Sequence, residues 1–181
     1  LVDFVKSEYT PDGFGTPLHY MIPVRQSILE SEVHQVIGDV GGLSIAFDEE
    51  PAVWAALLYD VPLVRFEDHQ TRVYPAEPAL TLTRDCAADG TRFELREGEG
   101  CYVLGTRSPD DLNLDTYRLA GPARFDNGVR LLAYDWQAPC LALVWEITTN
   151  TDVDYSFAVH FVDAAGDRVA QADGLSWPGV Y

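Results

Sequence analysis

Alternating apolar and polar positions dominate the C-terminal part of the chain. Segments 141–147 and 155–161 both alternate, and the chain turns around Gly166 before running back. A side-chain period of two is typical of strands with one buried face. The strands predicted in this part are 112–120, 129–136, 140–149, 154–163 and 168–173. They indicate an antiparallel β-sandwich, jelly-roll-like, and Asn127 followed by Gly128 is a hairpin-type turn signal between two of them.

Helical spacing marks the first half instead. After an irregular segment (9–20), Pro23 suits a first helical turn and Gly38 ends the helix. The apolar positions that recur at helical spacing are Val24, Ile28, Val33 and Ile37.

A strand–helix–strand pattern follows this helix. Runs 43–47 and 63–66 are predicted strands, and 52–59 is a predicted helix with Asp48 as its N-cap. Its packed positions are expected to be Val53, Trp54, Leu57 and Leu58. This order predicts a small βαβ-like layer with parallel strands.

Three more short strands are predicted before the middle of the chain, at 80–83, 93–95 and 102–104. Asp89 followed by Gly90 is a tight-turn signal between the first two.

The polar segment 108–111 is the predicted junction between two subdomains. The fold class is therefore α+β, with a small α/β layer and added strands over 1–108. The β-sandwich occupies 109–181.

Composition excludes several classes of function. The chain has 181 residues, 47% of them hydrophobic, and a formal net charge of −17. An apolar fraction of this size supports a buried core, and the acidic surface repels nucleic-acid phosphates and anionic membranes. No apolar run is long enough to span a bilayer, and no signal peptide is present. The chain begins at Leu1 without a methionine, so we expect a piece of a longer protein or a processed product.

Acidic loops leave calcium binding open as an alternative to a solvated surface. The two clusters are Asp110, Asp111, Asn113 and Asp115, and then Asp152 and Asp154. Neither matches the EF-hand loop, so no metal is predicted.

The three cysteines match no zinc pattern. Cys86 and Cys101 flank a hairpin-like stretch, and a disulfide between them would stabilise the fold by about 3 kcal/mol. The sequence leaves open whether they pair. Cys140 begins an apolar strand and is predicted to be a small buried hydrophobe.

No catalytic or cofactor-binding signature is present. The glycines between Gly38 and Gly42 follow a helix and precede a strand, the reverse of a dinucleotide fingerprint. No serine elbow occurs. The four histidines are scattered along the sequence, and we predict that each is structural or solvent-exposed; they are His19, His34, His69 and His160. We therefore predict no catalytic residue and no cofactor, although a carboxylate pair for glycoside hydrolysis is defined by spatial proximity and stays open.

Three tryptophans deserve separate predictions. Trp145 shares a strand face with other apolar residues and is predicted to lie in the core. Trp136 and Trp177 lie beside turns, and with Asp173 they form the candidate sugar-binding set, because exposed aromatics stack on sugar rings while acids bind hydroxyls. Packing under a loop is the alternative.

The chain also resembles a known family at both ends. Segments 123–134, 141–147, 154–166 and 169–174, and segment 12–18 near the start, resemble the C-terminal extracytoplasmic region of bacterial phospholipid-carrier-dependent glycosyltransferases, which are similar to protein mannosyltransferases. The family pattern continues beyond Tyr181. The resemblance therefore implies that the sandwich lacks its final strands and exposes an edge.

The resemblance implies a parent protein that is embedded in the membrane and transfers sugar from a lipid-linked donor. The catalytic acids of the family lie in a loop that this chain lacks, so none is carried over. We expect a non-catalytic extracytoplasmic domain that recognises a glycan, a lipid-linked sugar acceptor or a partner. A secreted carbohydrate-binding module and a hydrolase are the alternatives.

Overall fold

The computed structural model describes residues 15–31, 42–47, 49–61, 64–67, 71–126, 128–148 and 156–176. These residues have mixed helix and strand content in mostly antiparallel sheets, which confirms the α+β prediction at this coarse level. The chain divides into two compact units between Pro109 and Asp110.

The elements are named in chain order. The first unit contains helix α1 (Leu18–Glu30), strand β1 (Leu43–Ile45), helix α2 (Pro51–Leu57) and strands β2 (Val64–Phe66), β3 (Ala79–Thr83), β4 (Thr91–Glu94) and β5 (Cys101–Arg107). The second contains β6 (Arg118–Arg124), β7 (Val129–Gln137), β8 (Cys140–Ile147), β9 (Ser156–Val162) and β10 (Arg168–Ser176). Two short 3-10 helices lie between β5 and β6, at Pro109–Asp111 and Leu114–Thr116.

Helix α1 begins earlier than the sequence predicts. It starts at Leu18, so Pro23 lies inside the helix rather than in its first turn. Its buried stripe is Met21, Val24 and Ile28, which fits a helix with one face on a sheet. The predicted continuation through Val33, Ile37 and Gly38 lies outside the described residues.

Helix α2 begins after a residue in a left-handed conformation. Glu50 has φ 55°, and Pro51 follows at the start of the helix, where its missing N–H costs nothing. Trp54 and Leu58 are buried as predicted, but Val53 is 36% exposed because the helix presents only one stripe to the core. The predicted cap, Asp48, lies outside the described residues.

The first unit has a five-stranded sheet in the order β2-β1-β3-β5-β4. Strand β1 pairs in parallel with both β2 and β3, which confirms the predicted parallel layer. Strand β5 runs antiparallel between β3 and β4. The prediction that Asp89 and Gly90 make a tight turn between adjacent strands was therefore wrong, because β5 intervenes.

The two faces of this sheet differ in character. Leu43, Val64 and Leu80 lie side by side and belong to a core that also takes in α1 and α2. The intervening positions carry Ser44, Arg65 and Thr81, which are also in register. Cross-strand partners share a face, so the second face of the sheet carries polar side chains at these positions, beside the buried apolar residues Ala79 and Val103.

The second unit contains two antiparallel sheets, β6-β7-β8 and the hairpin β9-β10. Strand β6 begins later than the predicted strand 112–120, because one of the 3-10 helices occupies the front of that segment. The predicted turn between β9 and β10 is present: the Asp163 carbonyl accepts from the Gly166 N–H, and Gly166 has φ 89°.

Candidate functional site

An exposed indole near the end of β7 is the first feature of the candidate sugar-binding surface. Trp136 is 46% exposed, and its ring lies 5.4 Å from the ring of Phe161 in β9, at 57° between planes. Phe161 itself is half-buried. We call this pair the aromatic ledge. It connects the two sheets of the second unit through one ring contact and leaves part of the indole open to solvent.

Polar groups border the ledge at the β7–β8 hairpin. The Gln137 side-chain amide donates to the Asp135 carboxylate over 2.7 Å. Alternation along β7 places both on the face opposite Trp136, at the tip of a hairpin that contains a cis Ala138–Pro139 bond. A ligand that touched both ring and amide would therefore bend around the end of the strand.

The hairpin β9–β10 also carries exposed apolar side chains outside the ledge. Val162 follows Phe161 directly and is 60% exposed, and Val169 on β10 is 65% exposed. Phe125, at 52% exposure, lies apart from the ledge with its ring 5.9 Å from that of Trp145. It provides a second exposed aromatic in the same unit.

The other predicted site residues have different outcomes. Trp177 lies outside the described residues. Asp173 on β10 pairs with Ala158 on β9. Ala158 lies three positions from Phe161, so the backbones of Asp173 and Phe161 are about 10 Å apart along the strand direction. Trp145, predicted to be core, is only half-buried.

The cysteines also differ from one another. Cys86 and Cys101 form a disulfide that ties the segment after β3 to the start of β5. Cys140 is a free, exposed thiol. The prediction that Cys140 is buried was therefore wrong, because the apolar pattern of β8 does not reach a closed core at the hairpin end.

A polar cluster at the carboxyl ends of β1 and β3 escaped the sequence analysis. The Glu50 carboxylate accepts from the Thr16 N–H over 2.8 Å, and the Tyr102 hydroxyl donates to the Thr16 hydroxyl over 3.3 Å. The Arg84 guanidinium lies 4.9 Å from the centre of the Tyr102 ring. Glu50 has a left-handed backbone conformation, which is uncommon for a residue with a side chain. No sequence pattern predicts this conformation.

Packing between aromatic rings accounts for the position of Tyr102 in this cluster. The Tyr102 ring meets the Trp54 ring edge-on, at 84° and 5.2 Å. Burial raises the pKa of Tyr102, while the hydrogen bond with Thr16 opposes the shift. The cluster therefore fastens the segment before α1 to the start of α2 and to β5.

A second polar group lies on the other face of the five-stranded sheet. The Arg107 guanidinium pairs with the buried Glu67 carboxylate and also donates to the Val73 carbonyl over 2.8 Å. Burial raises the pKa of Glu67, and the neighbouring Arg107 charge offsets only part of that shift. Burial likewise lowers the pKa of Arg65, which the Glu67 charge opposes.

Acidic residues after β5 form turns. The Asn113 side chain accepts from the Asp115 N–H over 2.9 Å, which caps the second 3-10 helix. Within the described ranges, no three His, Cys, Asp or Glu side chains are grouped so as to hold a metal ion. Asp152 and Asp154 lie outside those ranges. His160 is exposed on β9.

Comparison with known proteins gives no family for this chain. No protein-family model matches it, and no curated protein or solved structure is significantly similar to it. In the part of the chain that the structure describes, no helix is both long and apolar enough to cross a membrane. The resemblance to glycosyltransferases therefore stays a prediction.

Proposed function

We propose that the chain is a non-catalytic extracytoplasmic domain of a glycosyltransferase-like protein and that its second unit binds glycan on the aromatic ledge. The observation that carries this proposal is the half-exposed indole of Trp136, supported from one side by Phe161. An indole held at an angle by a neighbouring ring presents a flat apolar surface with little loss of side-chain freedom on binding. The jelly-roll-like sandwich remains part of this proposal.

The polar groups nearest the ledge along β7 lie on the opposite face of the strand, so a bound glycan would reach them only around the end of the hairpin. Sugar rings combine apolar C–H faces with hydroxyl groups, so they need an aromatic surface and nearby donors and acceptors. Asp135 and Gln137 lie within one residue of Trp136 along β7 and are fixed by their mutual hydrogen bond. Val162 is exposed but, as the next residue of β9, lies on the face opposite Phe161 and is not part of the ledge.

Net charge restricts the class of glycan. A chain with a formal charge of −17 repels polyanions, so sulfated or phosphorylated polysaccharides are disfavoured. Neutral hexose chains fit the surface better.

The disulfide supports the proposed location. Disulfides persist mainly in oxidising compartments, and the Cys86–Cys101 bond lies in the core-bearing unit. Attachment to a membrane would come through segments outside this chain.

Glycan binding can be tested with matched aromatic variants. We expect the wild-type protein to bind neutral oligosaccharides weakly on a glycan array and in calorimetry. Trp136→Ala should weaken binding by about five- to tenfold, since one stacked ring contributes roughly 1–1.5 kcal/mol. Phe125→Ala is the control, because Phe125 is equally exposed but lies outside the ledge. Trp177→Ala in the same assay decides whether the third predicted residue belongs to the site.

Two outcomes would overturn the proposal or redirect it. Equal affinity for both alanine variants, or no binding to any neutral glycan, would remove the ledge as a sugar site. Turnover of aryl glycosides would point to the hydrolase alternative instead. The full reading frame separates the remaining choices, because many membrane spans favour a transferase domain and a signal peptide alone favours a secreted module.

A further inference from the structure

Polar side chains are enclosed on the second face of the five-stranded sheet. Ser44 is 2% exposed, Glu67 3% and Thr81 8%. Arg107 shares this face through its pairing with Ala79, and Arg65 lies beside Ser44. We call these five residues the polar layer. Most sheets of α/β proteins bury apolar residues on both faces, so a polar layer of this kind needs its own explanation.

Hydrogen bonding within the polar layer is incomplete. Oε2 of Glu67, Nη1 of Arg65 and Oγ1 of Thr81 are buried without a hydrogen-bond partner among the described residues. Buried polar atoms of native proteins are nearly always paired, because each unpaired one costs about 1–3 kcal/mol. Each unpaired atom therefore lowers the stability of the enclosed arrangement relative to a hydrated one.

The segment 71–78 covers part of this layer and has no regular secondary structure. Its described side-chain contacts converge on one guanidinium: Arg107 donates to the Val73 carbonyl and lies 5.5 Å from the centre of the Tyr74 ring. The same guanidinium pairs with Glu67. The cover segment therefore reaches the buried carboxylate both through Arg107 and directly, since the Val73 N–H also donates to Glu67.

We propose that Glu67 and Arg107 form a proton-sensitive latch that holds segment 71–78 over the polar layer. The charged groups that act on Glu67 come from three elements: Arg65 from β2, Arg107 from β5, and Arg72 from the cover segment itself. Strands β1 and β3 contribute no charged side chain to this face, where they place hydroxyl groups such as those of Ser44 and Thr81. The positive charges of the guanidinium groups stabilise an ionised Glu67. Burial under the cover segment opposes this, because it removes the water that would solvate the charge.

The direction of the pH effect follows from burial. Burial raises the pKa of Glu67 in the closed state, and opening of the cover hydrates the carboxyl and returns its pKa toward the ordinary value. The closed state therefore binds the proton more tightly. Its stabilisation is complete below the ordinary pKa of a glutamate and is lost as pH rises through the higher pKa of the closed state. The latch holds at low pH and loosens as the pH rises through the pKa of Glu67 in the closed state.

Hydrogen–deuterium exchange of the amides of 73–77 tests this latch. Exchange of the wild-type protein and of Glu67→Gln would be measured between about pH 5 and about pH 8, and their ratio at each pH cancels the intrinsic exchange rate. We expect the wild-type rate to rise relative to Glu67→Gln by about threefold or more across this range, because the glutamine cannot titrate and only in the wild type does loss of the proton at position 67 favour opening. Glu146→Gln, which breaks the half-exposed pair with Arg130 in the second unit, is the control and should leave 73–77 unchanged.

A second variant separates the latch from simple damage to the fold. Arg107→Lys keeps the positive charge but loses the planar guanidinium that contacts both Val73 and Tyr74. It should speed exchange of 73–77 at every pH while exchange in β7 stays at the wild-type rate. A pH-independent ratio between wild type and Glu67→Gln would overturn the proton sensitivity. Unchanged exchange in Arg107→Lys would overturn the latch itself.

Discussion

Single residues decide how closely backbones approach in the first unit. A Cβ at Gly90 would lie 2.4 Å from the Leu104 carbonyl oxygen, and one at Gly105 would lie 2.5 Å from the Asp89 carbonyl oxygen. The loop before β4 is thus pressed against the backbone of β5, and only residues without a side chain fit there. The Asp89–Gly90 pair has a packing role rather than that of a simple hairpin turn.

Gly90→Ala should destabilise the protein measurably. The added methyl group meets rigid backbone, and Gly90 has φ 148°, which an L residue rarely adopts. We expect a loss of about 2 kcal/mol or more in the free energy of unfolding by urea titration. Gly121→Ala is the control, since its Cβ would meet nothing within 4 Å. Equal losses for the two variants would contradict the close approach.

Elements of the two units differ in how completely they are buried. In the first unit, β1 is fully buried and α1 and α2 each bury one apolar stripe, whereas β7 and β8 are half-buried along most of their length. Among the described hydrophobic residues that are buried, only Val129 and Ala133 belong to the second unit. Cross-strand pairs therefore matter more in the second unit, where the core is thin.

The disulfide is the main covalent constraint on β5. Replacing Cys86 and Cys101 together by serine should lower the free energy of unfolding by about 3 kcal/mol, because the unfolded chain regains the freedom of a closed loop of 15 residues. Urea denaturation would measure the loss. Cys140→Ser should change stability by less than about 0.5 kcal/mol, since the thiol is exposed. A null effect of the double replacement would mean that the bond does not constrain the fold.

The whole molecule carries a large excess of negative charge. With 29 acidic and 12 basic residues, self-repulsion opposes compaction at neutral pH. Ion pairs such as Arg25–Asp60 relieve this locally but are too exposed to offset the excess.

Salt should therefore stabilise this protein. Raising NaCl from about 20 mM to about 200 mM shortens the Debye length and should raise the melting temperature by a few degrees. Differential scanning calorimetry would measure the shift, with an uncharged solute at matched osmolality as the control. A lower melting temperature in salt would show that attractive ion pairs outweigh the net repulsion.

Sequence pattern by itself determined the kinds of element and their order. Helical spacing placed α1 and α2, and alternation placed β7 to β10, because these periodicities depend only on which side chains must face an apolar core. The parallel pairing of β1 with β2 also followed from their order along the chain.

Tertiary structure decided what periodicity does not encode. The insertion of β5 between β3 and β4, the exposure of Cys140 and the start of α1 before Pro23 all depend on partners distant in sequence. The aromatic ledge was half predictable: the sequence named Trp136, but Phe161 reaches it only because β9 packs there. The polar layer was unpredictable, since Glu67 and Arg107 are 40 residues apart and nothing local indicates that they pair. The local pattern of apolar residues indicates which side chains are buried. The partner of each strand and side chain is decided only when the chain folds.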